Sequence, residues 1–152
     1  MSEVFCLDAG VLVKYLVEED PPEDTAAAGR LMRRTVATGQ LVAPAFAWAE
    51  VGSVLRKKVR QGSLRQVRSE ELWAEFHQLP IEFVELAVIR DRAWEIANQP
   101  ALPTLYDAAY LACTELSPAE EPATREFWTA DEFLIRQLGV NCPSYIRRLS
   151  EA

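Results

Sequence analysis

Val4-Phe5-Cys6-Leu7-Asp8 is a run of four apolar residues that ends on an acid. A short, continuous apolar run is the pattern of a strand buried on both faces. The reading then alternates along the chain. Val11–Val17 fits a helix of about two turns, and Glu18–Asp24 (EEDPPED) is a polar loop. Helix is predicted over 25–37, strand over 41–43, and helices over 45–60 and 64–78, the last capped by Ser63. Strand follows at 81–86, helix at 87–98 and 105–116, strand at 126–129, helix at 131–138, and a final strand at 140–142. Strands alternating with helices predict a three-layer α/β/α sandwich around a central, mainly parallel sheet.

The chain has 152 residues, which predicts one domain over 1–152. Hydrophobic residues make up 49% and charged residues 26%, a balance that excludes disorder. The longest apolar stretch, Leu41–Ala49, has nine residues, well short of the ~20 that a membrane span needs. Met1-Ser2-Glu3 carries no basic segment of a secretory signal, and Cys6, Cys113 and Cys142 have no metal-ligand spacing. Reduced thiols and a cytoplasmic protein are therefore expected.

Net charge is −7, which argues against a general nucleic-acid coat. Residues 56–68 (RKKVRQGSLRQVR) nonetheless hold six basic residues and no acid. Such a strip is either a solvated helix face or a place for phosphates. His77 is the single histidine, so a His-activated nucleophile has one candidate, in a polar run. The glycines form neither a dinucleotide fingerprint nor a P-loop. Carboxylates are the chemical resource left, and they suit hard cations such as Mg²⁺ or Mn²⁺.

Ligands of open parallel sheets sit beyond the carboxyl ends of the strands. Asp8 and Asp131 fall there, although each also reads as a helix N-cap. Glu50 interrupts a helical stripe of Phe46, Ala47, Ser53 and Val54, where an isolated charge is costly. It either meets a cation or reaches water at the stripe's edge. Asp107 opens an apolar helix; Thr104 three residues earlier makes a pattern like a capping box. Thr129 offers a hydroxyl beside Asp131.

Four segments carry these acids: Leu7-Asp8-Ala9-Gly10-Val11-Leu12-Val13-Lys14, Ala49-Glu50-Val51-Gly52-Ser53-Val54-Leu55-Arg56, Thr104-Leu105-Tyr106-Asp107-Ala108-Ala109-Tyr110-Leu111-Ala112, and Trp128-Thr129-Ala130-Asp131-Glu132-Phe133-Leu134. In this order they resemble the PIN domain family, and within it the VapC-type toxins of toxin–antitoxin pairs. Two positions depart from the family pattern. Gly10 stands where Ser, Thr or Asn is frequent, and Ser53 where Asn is frequent.

The resemblance implies a ribonuclease acting on single-stranded or loop RNA, a cognate antitoxin that occupies the site, and a homodimer. Four ionised acids in one pocket repel; a pair ~5 Å apart does so by about 3 kcal/mol at an effective dielectric near 20. Mg²⁺ or Mn²⁺ removes that repulsion and assists phosphodiester hydrolysis. Asp8 and Asp107 are then expected as the principal metal ligands, Glu50 as a ligand or base, Asp131 as completing the cluster, and Thr129 as an orienting donor. The basic strip would meet RNA phosphates, and Tyr106 and Tyr110 would either stack bases or pack. A non-catalytic module that binds a protein or RNA is the alternative. A receiver-like phosphoacceptor would need neighbouring acids at Leu7 or Ala9, and a dehalogenase-type phosphatase a second Asp at Gly10.

Overall fold

The computed structural model describes residues 2–152. Five strands, β1 (Ser2–Leu7), β2 (Gln40–Pro44), β3 (Ile81–Val84), β4 (Ala123–Thr129) and β5 (Ile146–Arg148), form one sheet in the order β3-β2-β1-β4-β5. Every pairing is parallel. The helices are α1 (Ala9–Leu16), α2 (Pro22–Thr38), α3 (Ala47–Arg60), α4 (Gln66–Phe76), α5 (Ala87–Asn98), α6 (Tyr106–Leu116) and α7 (Glu132–Leu138).

β1 is the central strand, and its side chains alternate between two cores. Phe5 and Leu7 pack with α1, α2, α3 and α4 on one face. Val4 and Cys6 pack with α5, α6 and α7 on the other. Both faces are covered, so the strand carries an unbroken apolar run rather than polar alternation. The three-layer α/β/α arrangement is as expected.

Three local readings are corrected. The last strand is Ile146–Arg148, paired to β4 through Phe127, Trp128 and Thr129, whereas Gly139–Asn141 is a 3₁₀ turn that leaves Val140 in solvent. α2 begins at Pro22 rather than at residue 25, because proline at the first helical turn loses no hydrogen bond. Ser63 does not cap α4, whose N-cap is Arg65; the Ser63 hydroxyl instead donates to the Lys58 carbonyl at 3.2 Å and closes the end of α3. Gly62, at φ +79°, makes the reversal between α3 and α4.

Candidate active site at the carboxyl edge of the sheet

A parallel sheet brings the start of each following helix to the same edge. All four acids stand at such starts. Asp8 is the N-cap of α1 and Asp131 the N-cap of α7. Glu50 lies in the first turn of α3 and Asp107 in the first turn of α6. Negative charge is favoured there by the partial positive charge of the helix N-terminus.

β1 and β4 are neighbours in register, with Leu7 opposite Trp128, and this seats Asp8 beside Thr129. Asp8 Oδ1 accepts the Val11 N–H at 2.8 Å. The hydroxyl of Thr129, which is fully buried, donates to Asp8 Oδ2 at 2.5 Å. The same hydroxyl oxygen accepts the Asp131 N–H at 3.0 Å. Asp131 Oδ1 in turn accepts from Phe133 N–H at 2.9 Å and Leu134 N–H at 3.2 Å. Asp8, Thr129 and Asp131 thus form one hydrogen-bonded chain.

Burial pushes the Asp8 carboxyl up to about 6, although the Thr129 and Val11 hydrogen bonds favour its charged form. The charges of Asp107 and Asp131 raise it further. Asp107 is also raised, by burial and then by Asp131. Its capping box with Thr104 does not form, for the N-cap of α6 is Leu105, with no side-chain hydrogen bond. The Asp107 carboxylate is therefore not tied to the helix end.

Glu50 is half-buried. Its carboxyl is raised by burial and by Asp107, against a lowering by the Tyr110 hydroxyl. That hydroxyl donates to Glu50 Oε1 at 2.9 Å. Tyr110 is 2% exposed, and burial, with Glu50 beside it, drives its phenol far above its ordinary range. Asp107 thus links two subsets: the pair Asp8 and Asp131, and Glu50 with its tyrosine. The role of Tyr110 is the part of the site that motif reading left between packing and stacking. A buried tyrosine on an apolar helix needs a hydroxyl partner, and that need was the available signal.

The donor set is oxygen throughout, which fits a hard divalent cation. Among the described residues, however, no group of three or more Asp, Glu, His or Cys side chains is gathered closely enough to grip an ion. Hydrogen bonds with Thr129, Tyr110 and the start of α7 fix the orientation of three of the four acids.

Lys58 of the basic strip pairs with Glu19, and Arg68 with Glu71 at 2.9 Å and Glu75 at 3.1 Å. Among the described residues no carboxylate lies within 4.0 Å of the charged groups of Arg56, Lys57, Arg60 or Arg65. Arg56 and Arg60 face a cleft of about 490 Å³ between α3 and α4, with Trp48 and Trp73 as its aromatic walls. Gly52 permits that wall: a Cβ there would meet the Trp73 ring at 3.0 Å. The cleft does not include any of the four acids.

The sequence matches the family described as PIN domain over residues 5–132. No curated protein matches it. Among solved structures, the chain is similar in fold to the VapBC2 structure from Rickettsia felis, described as bound to a DNA fragment from their promoter. The TM-score is 0.61 at 12% identity, covering 95% of this chain and 98% of that one.

Proposed function

From the premise that the chain belongs to the PIN domain family, we propose that it is a divalent-metal-dependent endoribonuclease and the toxin of a toxin–antitoxin pair. The observation that carries this reading is Asp8. A carboxyl at the end of the central strand is pushed up to about 6 by burial and by two like charges, a placement that a cation would relieve. Structural ion pairing offers no competing account, because no Lys or Arg pairs with Asp8 among the described residues.

Asp8 and Asp107 would hold Mg²⁺ or Mn²⁺, with Asp131 completing the set. A bound cation would supply charge neutralisation at the phosphoryl oxygens and make a water more acidic. Thr129 keeps the Asp8 carboxylate in one orientation through its hydroxyl. Glu50 has a raised proton affinity and serves as a further ligand or as the base that takes a proton from water. Water would attack phosphorus as it loses that proton, the P–O bond to a ribose oxygen would break, and that oxygen would leave protonated as a hydroxyl, cutting the strand. Arg56, Lys57, Arg60 and Arg65 offer charge for RNA phosphates.

We assign the protein to the cytoplasm, as a homodimer with a cognate antitoxin. The fold likeness to a VapBC2 structure supports the partner, and no described helix is long and apolar enough to cross a membrane. The second reading, a non-catalytic module binding a protein or RNA, draws on the spread of the carboxylates. Incubating structured RNAs with Mg²⁺, Mn²⁺ or chelator decides between them. The nuclease reading requires cation-dependent cuts by the wild type and none by Asp107→Asn. Equal cutting by both proteins rejects the site, and no cutting in any cation rejects the activity.

A further inference from the structure

Tyr106 and Tyr110 lie one turn apart on α6 and have opposite fates. Tyr110 is buried and bound to Glu50, whereas Tyr106 is 57% exposed. Tyr106 is nevertheless held. Its ring meets Phe46 edge to face, with centroids 5.4 Å apart and planes at 79°. Phe46 also meets Tyr110, at 5.9 Å and 88°. Phe46 is the residue before α3, whose first turn carries Glu50, and Tyr106 immediately precedes Asp107. A continuous contact path therefore runs from Tyr106 through Phe46 and Tyr110 to Glu50. The exposed ring is fixed at the rim of the acid-bearing edge.

Packing does not account for Tyr106. An edge-to-face contact engages a small part of a ring and leaves aromatic surface in water. A fixed, wet aromatic surface next to a phosphodiester-cleaving edge matches the flat face of an unstacked base. A base in a duplex has both faces covered by its neighbours and cannot use such a platform. We propose that Tyr106, oriented by Phe46, stacks one unpaired nucleobase beside the cleaved phosphodiester and so selects RNA unpaired at that point. The proposal rests on the nuclease reading above. Tyr106 is a positioning residue for the strand and takes no part in the proton transfers.

The test uses a short single-stranded RNA with 2-aminopurine placed in turn at each base around the mapped cut. Binding is followed in the Asp8→Asn background, which is not expected to cut. Stacking on Tyr106 quenches the probe at one position. Tyr106→Ala should abolish that quench and weaken binding on the order of tenfold, while Tyr106→Phe and Tyr106→Trp retain both. In the cutting protein, Tyr106→Ala should raise KM by a similar factor with kcat little changed. An RNA with an abasic residue at the quenched position should bind the wild type and Tyr106→Ala equally. A position-independent quench, or unaltered binding and KM in Tyr106→Ala, overturns the stacking role and leaves the nuclease reading intact. The absence of any cut to map, in any cation, overturns both.

Discussion

Asp8 and Asp131 have the same local assignment and different surroundings. Each follows a strand, each is an N-cap, and each accepts backbone N–H bonds through Oδ1. Asp8 follows the central strand, which has neighbours on both sides, and is half-buried. Asp131 follows β4 one step outward and is exposed. Identical capping chemistry is thus cheap at one place and strained at the other. What distinguishes them is tertiary: the depth of the strand end, the Thr129 hydroxyl, and the charges of Asp107 and Asp131.

The two carboxylates should differ most in activity. Asp8→Asn should reduce RNA cleavage on the order of a hundredfold or more, and Asp131→Asn by clearly less, measured as kcat/KM in Mn²⁺. Stability should move the other way. The folded carboxyl of Asp8 has its pKa raised above the ordinary 3.8 to about 6, so the folded state binds more protons than the unfolded state between those values. Stability from this group therefore falls as pH rises from about 4 to about 6 and is flat above, by up to about 3 kcal/mol. Urea unfolding across that window should show the fall in the wild type and in Asp131→Asn, and a much flatter profile in Asp8→Asn. At pH 7.5 Asp8→Asn should melt higher, by roughly 2–4 °C for each kcal/mol regained. Asp131→Asn should melt close to the wild type, because Asn caps as well as Asp.

Cation binding should separate the wild type from Asp8→Asn without RNA. Mn²⁺ at 100 times its Kd should stabilise the wild type by about 2.7 kcal/mol, seen as a raised Tm, and should do so much less in Asp8→Asn. Thr129→Val removes the donor to Asp8 and the acceptor of the Asp131 N–H. It should cost about 1–3 kcal/mol and raise the Asp8 carboxyl further, read by carboxyl carbon NMR titration. Gly10→Ser should have the smallest effect. A Cβ there would stand 3.3 Å from Asp8 Oδ1, close but adjustable, so a change in kcat/KM of more than about tenfold would give Gly10 a larger role than its geometry implies.

Much of this was legible from local pattern. The unbroken run into Asp8 and the strand–helix alternation carry the parallel sheet, and the place of Asp8 and Asp131 just past strand ends follows from it. Glu50 was legible as a misfit in an apolar stripe. β5 was not, because Ile146-Arg147-Arg148 is a three-residue edge strand with charged side chains, and Val140-Asn141-Cys142 carries stronger strand residues. The bond between Tyr110 and Glu50 joins residues 60 apart, and no local signal names such a partner. The internal pairing of Lys58 and Arg68 was hidden in the same way. A basic run reads alike whether or not its charges are already matched.

The contact between Thr129 and Asp8 spans 121 positions of the chain. A ribosome making this protein releases Asp8, Glu50 and Asp107 well before β4 emerges. Until residues 123–129 slot in beside β1, the first acid lacks the hydroxyl that orients it. The order of synthesis thus leaves the acid-bearing edge incomplete until β4 has paired with β1.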